Sequence, residues 1–299
     1  MLTHRWTPSI ERHLARFRSE AGEALPVYHV HSLSADDEAL PEGCVPDIVV
    51  RPSDAASLLP RRVSYAERRG VWLGSADRFV LPAMMGALDQ YDYVWFVEYD
   101  VDYAGHWADF FRSAGQSRGD YLATNIRRRS KDPGWAFWDS LHIPDSARGA
   151  KQIASFHPIA RFSRSLLKAY VRAVEREGWD GHTEALYPSI AVHAGLKVVD
   201  LGGRGPFVPR GWEERHYRAT MDPTELSTGF GYRPPVSYEY FHEAPENFPD
   251  RDWLQHPVKE YDGWDWTCEI PSRRPLLRRE KVRREIRRVL RQIAGLPRA

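Results

Sequence analysis

Residues 93–102 form the segment that most restricts what this chain can fold into. The run Tyr93–Val97 is unbroken in its apolar and aromatic character, which is typical of a strand that is buried on both faces and covered by helices. It ends abruptly in Glu98, Asp100 and Asp102, three carboxylates at alternate positions. We therefore predict a central strand whose carboxyl end leaves the core and meets solvent, where a metal and a nucleotide can bind.

The rest of the chain alternates between strand and helix patterns, which indicates an α/β layer fold. A long aperiodic segment, residues 202–252, is rich in Gly, Pro and aromatic residues and predicts a binding loop. Strands are predicted at residues 25–31, 47–50, 93–98, 120–125 and 196–201. Helices are predicted from residue 7 onward and at residues 65–69, 77–90, 106–112, 164–177 and 184–194.

Length and composition place limits on the class of protein. The 299 residues suffice for one large α/β domain or two small ones. The two cysteines, Cys44 and Cys268, show no recognisable metal-ligand spacing, and such scarcity fits a reducing compartment. The N-terminal residues lack the apolar core of a signal peptide, and no apolar run approaches 18 residues. We therefore expect a cytoplasmic protein.

The charge is distributed unevenly along the chain. Residues 273–292 contain ten basic and two acidic residues, a net charge of +8, whereas the whole chain carries +1. Four apolar residues in this region lie on one stripe of a helix: Val282, Ile286, Val289 and Ile293. Such a basic amphipathic helix favours peripheral contact with an anionic membrane, or docking on the body or on a second copy of the chain. Nucleic-acid binding is not expected, because no recognised module accompanies the charge.

Taken in order, these elements resemble the GT-A fold of nucleotide-sugar-dependent glycosyltransferases over roughly residues 25–260. The resemblance implies a nucleotide-binding three-layer sandwich with a mixed, mainly parallel sheet. Residues 25–268 would form the catalytic domain, after a helix within residues 1–24 and before a basic C-terminal helix at 269–299. The implied reaction moves a sugar from a nucleotide diphosphate-sugar to a hydroxyl of a glycan or lipid-linked glycan.

The family also implies a metal site. Its members place a short acidic motif, often Asp-x-Asp, directly after a hydrophobic strand, where it binds Mn²⁺ or Mg²⁺ and, through the ion, the donor diphosphate. In this chain the motif falls on Glu98-Tyr99-Asp100 or, in a second register, on Asp100-Val101-Asp102. Asp100 belongs to both registers.

A late segment resembles the loop through which the family returns a histidine to the metal. In Trp253–Lys259 the candidate ligand is His256, and Lys259 would suit a diphosphate oxygen. A histidine that serves only as a satisfied polar residue is the alternative.

The segment Gly181–Pro188 resembles the family's later acidic element, which supplies the catalytic base in inverting members. Glu184 is the candidate base and Asp180 the second choice. Alternatively, Glu184 is an acid in the first turn of a helix, where it complements the helix dipole.

The donor nucleotide would lie against the first strands of the fold. By analogy with the family, the candidates to contact it are His31, Ser32, Asp77 and Arg78, together with Tyr99 of the acidic motif.

The acceptor side has two candidate segments. Residues 155–163 resemble the family segment that supports the acceptor, or form a strand and an N-cap. Trp135, Phe137 and Trp138 would form a sugar-stacking wall or pack in the core.

Two other functions remain open. A sugar nucleotidyltransferase shares a related sheet but usually carries a Gly-rich, basic loop after its first strand, which Ser32–Asp37 does not resemble. A non-catalytic carbohydrate-binding protein with this fold is the other alternative.

Overall fold

The computed structural model describes residues 1–69, 76–135, 137–217, 236–237 and 252–259. Helices and strands alternate through most of these ranges. The helices are α1 (Pro8–Ala21), α2 (Pro52–Leu58), α3 (Pro60–Arg69), α4 (Asp77–Ala87), α5 (Trp107–Gly115), α6 (Arg164–Arg172) and α7 (Thr183–His193). The strands are β1 (Leu2–Thr3), β2 (Val30–Ser32), β3 (Ile48–Val50), β4 (Tyr93–Val97), β5 (Asp102–Tyr103), β6 (Tyr121–Arg128), β7 (Ile153–Ser163), β8 (Val198–Asp200), β9 (Val236–Ser237), β10 (Leu254–Gln255) and β11 (Val258–Lys259).

Two sheets meet edge to edge at β1 and β4. One has the order β1-β2-β3 and is parallel throughout. The other has the order β4-β7-β6-β8, in which β7 is antiparallel to both neighbours and β8 is parallel to β6. Leu2 forms a parallel bridge with Glu98, and its carbonyl accepts a hydrogen bond of 3.0 Å from the Tyr99 amide. An α/β architecture with mixed strand directions, as expected from the sequence, is thereby confirmed.

Helices cover both faces of this sheet. Phe96 of β4 belongs to a core cluster with buried residues of α4, α6 and α7, whereas its neighbour Val97 belongs to a cluster with residues of α1 and α5. Adjacent strand residues point to opposite faces, so these two clusters lie on either side of the sheet. The arrangement is compatible with a three-layer fold.

The longest strand, β7, is buried at all 11 positions. At its end the Ser163 hydroxyl accepts a hydrogen bond of 3.1 Å from the Leu166 amide and caps α6. The interpretation of this segment as a strand followed by an N-cap is therefore confirmed.

The first strand lies elsewhere than predicted. The chain enters the sheet at Leu2–Thr3, before α1, and residues 25–29 form no strand, since β2 begins at Val30. A two-residue strand carries no periodic signal, so pattern analysis could not detect it. Residues 1–24 thus contribute both a strand and the crossover helix α1, which Thr7 caps.

Several predictions concern parts of the chain outside the described residues. These include the basic helix at 269–299 and most of the loop at 202–252. None of the helices within the described ranges combines the length and the apolar character needed to cross a bilayer.

Candidate metal and nucleotide site

The site lies where the strand order reverses. From β1 the chain moves through β2 and β3 toward one edge, and from β4 it builds β7, β6 and β8 on the other side. Ligands of open α/β sheets bind at such switch points, in the crevice outside the carboxyl ends of the strands. Glu98 follows β4 directly and pairs with Leu2 of β1. The acidic segment therefore begins at the position where a nucleotide is expected.

Three side chains converge there. Glu98, Asp100 and His256 each offer a ligand atom, and these atoms lie within 4.8 Å of one another. Asp100 Oδ1 is 3.5 Å from His256 Nε2, and both residues are buried. The structure therefore brings together residues that are more than 150 positions apart in the sequence.

The late segment reaches the acidic turn through backbone pairing. Gln255 of β10 pairs antiparallel with Asp102 of β5, and the Val258 amide donates to the Asp100 carbonyl at 2.8 Å. The ring of His256 packs edge-on against Phe156 of β7 at 5.1 Å. These contacts hold the imidazole beside Asp100.

The donor set suits a divalent ion. Two carboxylates and one imidazole fit a first-row ion such as Mn²⁺ better than Mg²⁺, which prefers oxygen ligands. Neighbouring ligands of a six-coordinate ion with bonds of about 2.1 Å lie about 3 Å apart. The observed 3.5 Å between Asp100 and His256 is close to that distance, and the ligand atom of Glu98 lies within 4.8 Å of both.

Asp102 does not join this group. Its buried carboxylate accepts hydrogen bonds from Arg16 Nη1 at 2.8 Å and from the Tyr103 amide at 2.7 Å, and it lies 3.8 Å from His13 Nδ1. Arg16 and His13 belong to α1, so this carboxylate faces the helix layer. The expectation that Asp102 binds the metal is therefore corrected.

A turn explains why the three carboxylates, which occupy alternate positions in the sequence, do not lie on one face. The strand ends at Val97, and the Val101 amide donates to the Glu98 carbonyl at 3.1 Å. Beyond a turn, residues two apart no longer share one face. The geometry therefore favours the register Glu98-Tyr99-Asp100 over Asp100-Val101-Asp102.

Tyr99 supports this turn from the core side. Its buried ring packs against His4 with centroids 5.1 Å apart, and burial and Asp100 raise its pKa. It belongs to the core cluster on the α1 side of the sheet. The structure places this side chain in the core rather than on a nucleotide-contacting surface.

Glu184 lies in the first turn of α7, close enough to Glu98 and His256 for them to act on its charge. The pKa of its carboxyl is raised to about 8, mainly by burial and also by Glu98, while Arg127 and His256 act in the opposite direction. The side chain is 17% exposed. The helix is capped by His182, whose Nδ1 accepts from the Glu184 amide at 3.3 Å. A partly accessible carboxyl with a pKa near neutrality suits proton transfer.

Asp180 and Asp77 are held in a buried ion-pair network instead. The Arg62 guanidinium contacts the Asp180 carboxylate through Nη1 and Asp77 through Nε at 3.1 Å. Tyr170 also donates to Asp77 at 2.7 Å, and all four residues are buried. The structure therefore pairs both carboxylates with Arg62, which does not support Asp180 as the base or Asp77 as a nucleotide ligand.

The other donor-side candidates lie at β2, at the start of α4 and in the late segment. His31 and Ser32 are buried at the carboxyl end of β2. Arg78 is half-buried in the first turn of α4. The side chain of Lys259 lies outside what the structure describes.

Aromatic rings flank the His182 cap. Phe137 stacks on its imidazole at 4.4 Å, and Trp135 meets the same ring edge-on at 5.5 Å. Trp138 is buried and donates through Nε1 to the Asp132 carbonyl at 2.6 Å, so it belongs to the core. Only Trp135 and Phe137 therefore remain as candidates for a sugar-stacking surface beside Glu184.

Two further residues lie near the start of α7, and the sequence did not single out either of them for a role beside Glu184. His157 of β7 is buried, has its pKa lowered to about 3 by burial, and lies 3.5 Å from the Thr183 hydroxyl. Arg127 of β6 lies in electrostatic range of Glu184 and pairs with Asp132 at 2.7 Å. No local motif marks either residue, since their neighbours in α7 are distant in the sequence.

Hydrogen bonds fix the start of the predicted binding loop, residues 202–252. Asp200 accepts hydrogen bonds from the amides of Gly202 and Gly203 at 3.0 and 2.7 Å, and from the Tyr217 hydroxyl at 2.7 Å. These hydrogen bonds fix the first two residues of the segment 202–252 to the end of β8.

Comparison with known proteins adds no family. A scan against protein-family models gives no match for this chain, and a search of curated proteins gives none either. The chemistry of the site therefore rests on its own residues.

Proposed function

We propose that this protein is a metal-dependent glycosyltransferase of the GT-A type, which moves a sugar from a nucleotide diphosphate-sugar to a hydroxyl of a glycan or lipid-linked acceptor. The observation that carries the proposal is the convergence of Glu98, Asp100 and His256 at the switch point of the sheet. Ions held by one or two carboxylates commonly complete their coordination with phosphate oxygens. A nucleotide diphosphate at this crevice would supply them.

Breaking the bond between the sugar and the diphosphate concentrates negative charge on the leaving group. A divalent ion bound to Glu98, Asp100 and His256 would neutralise that charge as a Lewis acid. These three side chains would fix the position of the ion and, through it, the position of the diphosphate. Because His256 is held by β10 and by Phe156, the site depends on the late segment being in place.

Glu184 is the proposed base. An acceptor hydroxyl becomes an effective nucleophile when a positioned carboxylate takes its proton. A carboxylate whose pKa is about 8 is a stronger base than an ordinary one, and its deprotonated fraction grows as the pH approaches 8. Direct attack by the activated hydroxyl would invert the configuration at the anomeric carbon. Trp135 and Phe137, near His182 at the start of α7, would offer rings on which an acceptor sugar can stack.

Asp100 and Asp102 belong to the same acidic segment, but only Asp100 is a proposed metal ligand. We expect Asp100→Asn to abolish the rise in melting temperature that Mn²⁺ and a nucleoside diphosphate produce together, because it removes a ligand. Asp102→Asn should lower the melting temperature of the free protein, since it weakens the pairing with Arg16, yet retain that rise. A thermal-shift panel of nucleoside diphosphates and sugar nucleotides, with and without Mn²⁺, measures both.

The same panel can refute the proposal. An undiminished response in Asp100→Asn, or no Mn²⁺-dependent response to any nucleotide in the wild type, would contradict it. Product analysis then separates the alternatives. A transferase releases free nucleoside diphosphate, a nucleotidyltransferase releases pyrophosphate, and a non-catalytic binder releases neither.

A further inference from the structure

A second group of metal-ligating side chains lies on the other side of β1. His29, His31 and Cys44 are all buried, and their ligand atoms lie within 4.8 Å of one another. His29 directly precedes β2 and His31 lies within it, and both rings reach the Thr3 hydroxyl. Cys44 approaches from the loop between β2 and β3, in a turn closed by its amide and the Pro41 carbonyl at 3.0 Å. The fold thereby brings His29 and Cys44, which are 15 positions apart in the sequence, close together.

The separations fit tetrahedral coordination. The Cys44 Sγ lies 3.5 Å from His31 Nδ1. Zinc bonds of about 2.05 Å to nitrogen and about 2.3 Å to sulfur place such a pair about 3.5 Å apart. The Thr3 hydroxyl lies 2.8 Å from both His29 Nε2 and His31 Nδ1. The two ring nitrogens therefore already converge on a single oxygen.

The surroundings favour neutral imidazoles beside acidic groups. Burial lowers the pKa of His29 to about 4 and also lowers that of His31, so each ring keeps a lone pair at neutral pH. Asp47 accepts a hydrogen bond of 2.6 Å from the His29 amide, and Glu38 acts electrostatically on His31. The Met1 amino group, His4 and Arg18 oppose this negative charge.

We propose that His29, His31 and Cys44 bind a Zn²⁺ ion, with the Thr3 hydroxyl or a water as fourth ligand. A thiolate with two imidazoles selects zinc over Mn²⁺ or Mg²⁺. The Cys44 proton leaves as the metal–sulfur bond forms, so binding releases one proton. Because the ligands come from β1, β2 and the loop after β2, the ion would fasten that loop to the sheet. This proposal does not depend on the proposed transfer reaction.

The test uses the full-length protein, equilibrated with Zn²⁺ and then dialysed into metal-free buffer. We expect the wild type to retain one zinc ion per chain and to melt at a higher temperature than the metal-free protein. Cys44→Ser should bind zinc at least tenfold more weakly. Cys268→Ser is the matched control for the other cysteine and should behave as the wild type does.

Cobalt substitution supplies a readout that does not require any variant to fold. Co²⁺ bound to a thiolate gives an intense sulfur-to-metal absorption band, which we expect in the wild type and in Asp100→Asn. Its absence in the wild type, or equal zinc retention in Cys44→Ser, would overturn the proposal. Because Asp100→Asn should lose the Mn²⁺-dependent response but keep its zinc, failure of one site can be told from failure of the other.

Discussion

The Glu184 carboxyl opposes stability at neutral and higher pH. Its pKa rises from 4.5 to about 8, mainly because burial disfavours the charged form. Between these pH values the folded chain keeps a proton that the unfolded chain has lost. The contribution of this group to stability is therefore present below about pH 4.5 and declines as the pH rises toward 8.

Glu184→Gln should remove this decline. In the absence of divalent ions we expect the variant to melt about 2–6 °C above the wild type at pH 8 and close to it at pH 4. Thermal unfolding across this range measures the difference. A difference that does not change with pH would show that burial of the carboxyl is not its cause. If Glu184 is the base, the variant should also lose about 100-fold or more in turnover.

At the scale of elements, the Arg62 network ties three segments together. Arg62 lies on α3, Asp77 begins α4, and Asp180 precedes α7. Removal of one partner from a buried ion pair leaves a charge without compensation in the interior, which costs more than the intact pair contributes. The network therefore fixes the start of α7, which carries Glu184, relative to α3 and α4.

Arg62→Met should consequently destabilise the protein by about 3–5 kcal/mol, as measured by urea unfolding. The control is Arg148→Met, which breaks a pair with Asp145 of 2.6 Å between side chains that are 81% and 91% exposed. Such a surface pair contributes at most about 1 kcal/mol. Similar losses in both variants would show that the buried network does not hold these helices.

For the whole molecule, the uneven charge distribution is the feature to test. A segment of net charge +8 on a chain of net charge +1 leaves about −7 for the remainder. If residues 273–292 form a basic amphipathic helix, it can lie on an anionic bilayer or dock on the acidic remainder. Contact with a membrane would suit an enzyme whose acceptor is lipid-linked.

Sedimentation with vesicles distinguishes these two states. If the segment binds membranes, the full chain should sediment with anionic vesicles, stay in solution with neutral ones, and be released as the salt concentration rises. Replacement of Arg287, Arg288 and Arg291 by Gln should weaken this binding. No sedimentation with anionic vesicles at low salt would favour docking on the protein itself.

The sequence by itself determined several of the local elements and the acidic end of β4. The apolar run predicted β4, Thr7 and Pro8 predicted the start of α1, and the apolar spacing after Asp77 predicted α4. These features depend on periodicity and capping, which act between residues only a few positions apart.

Only the tertiary structure decided which carboxylates meet. The turn after Glu98 directs Asp102 toward Arg16 and leaves Asp100 beside His256. Asp180 forms a buried ion pair with Arg62 instead of facing solvent. The adjacency of β1 and β4 is equally non-local. Such pairings depend on which distant segments bury their surfaces together, and no local pattern of residues records that choice.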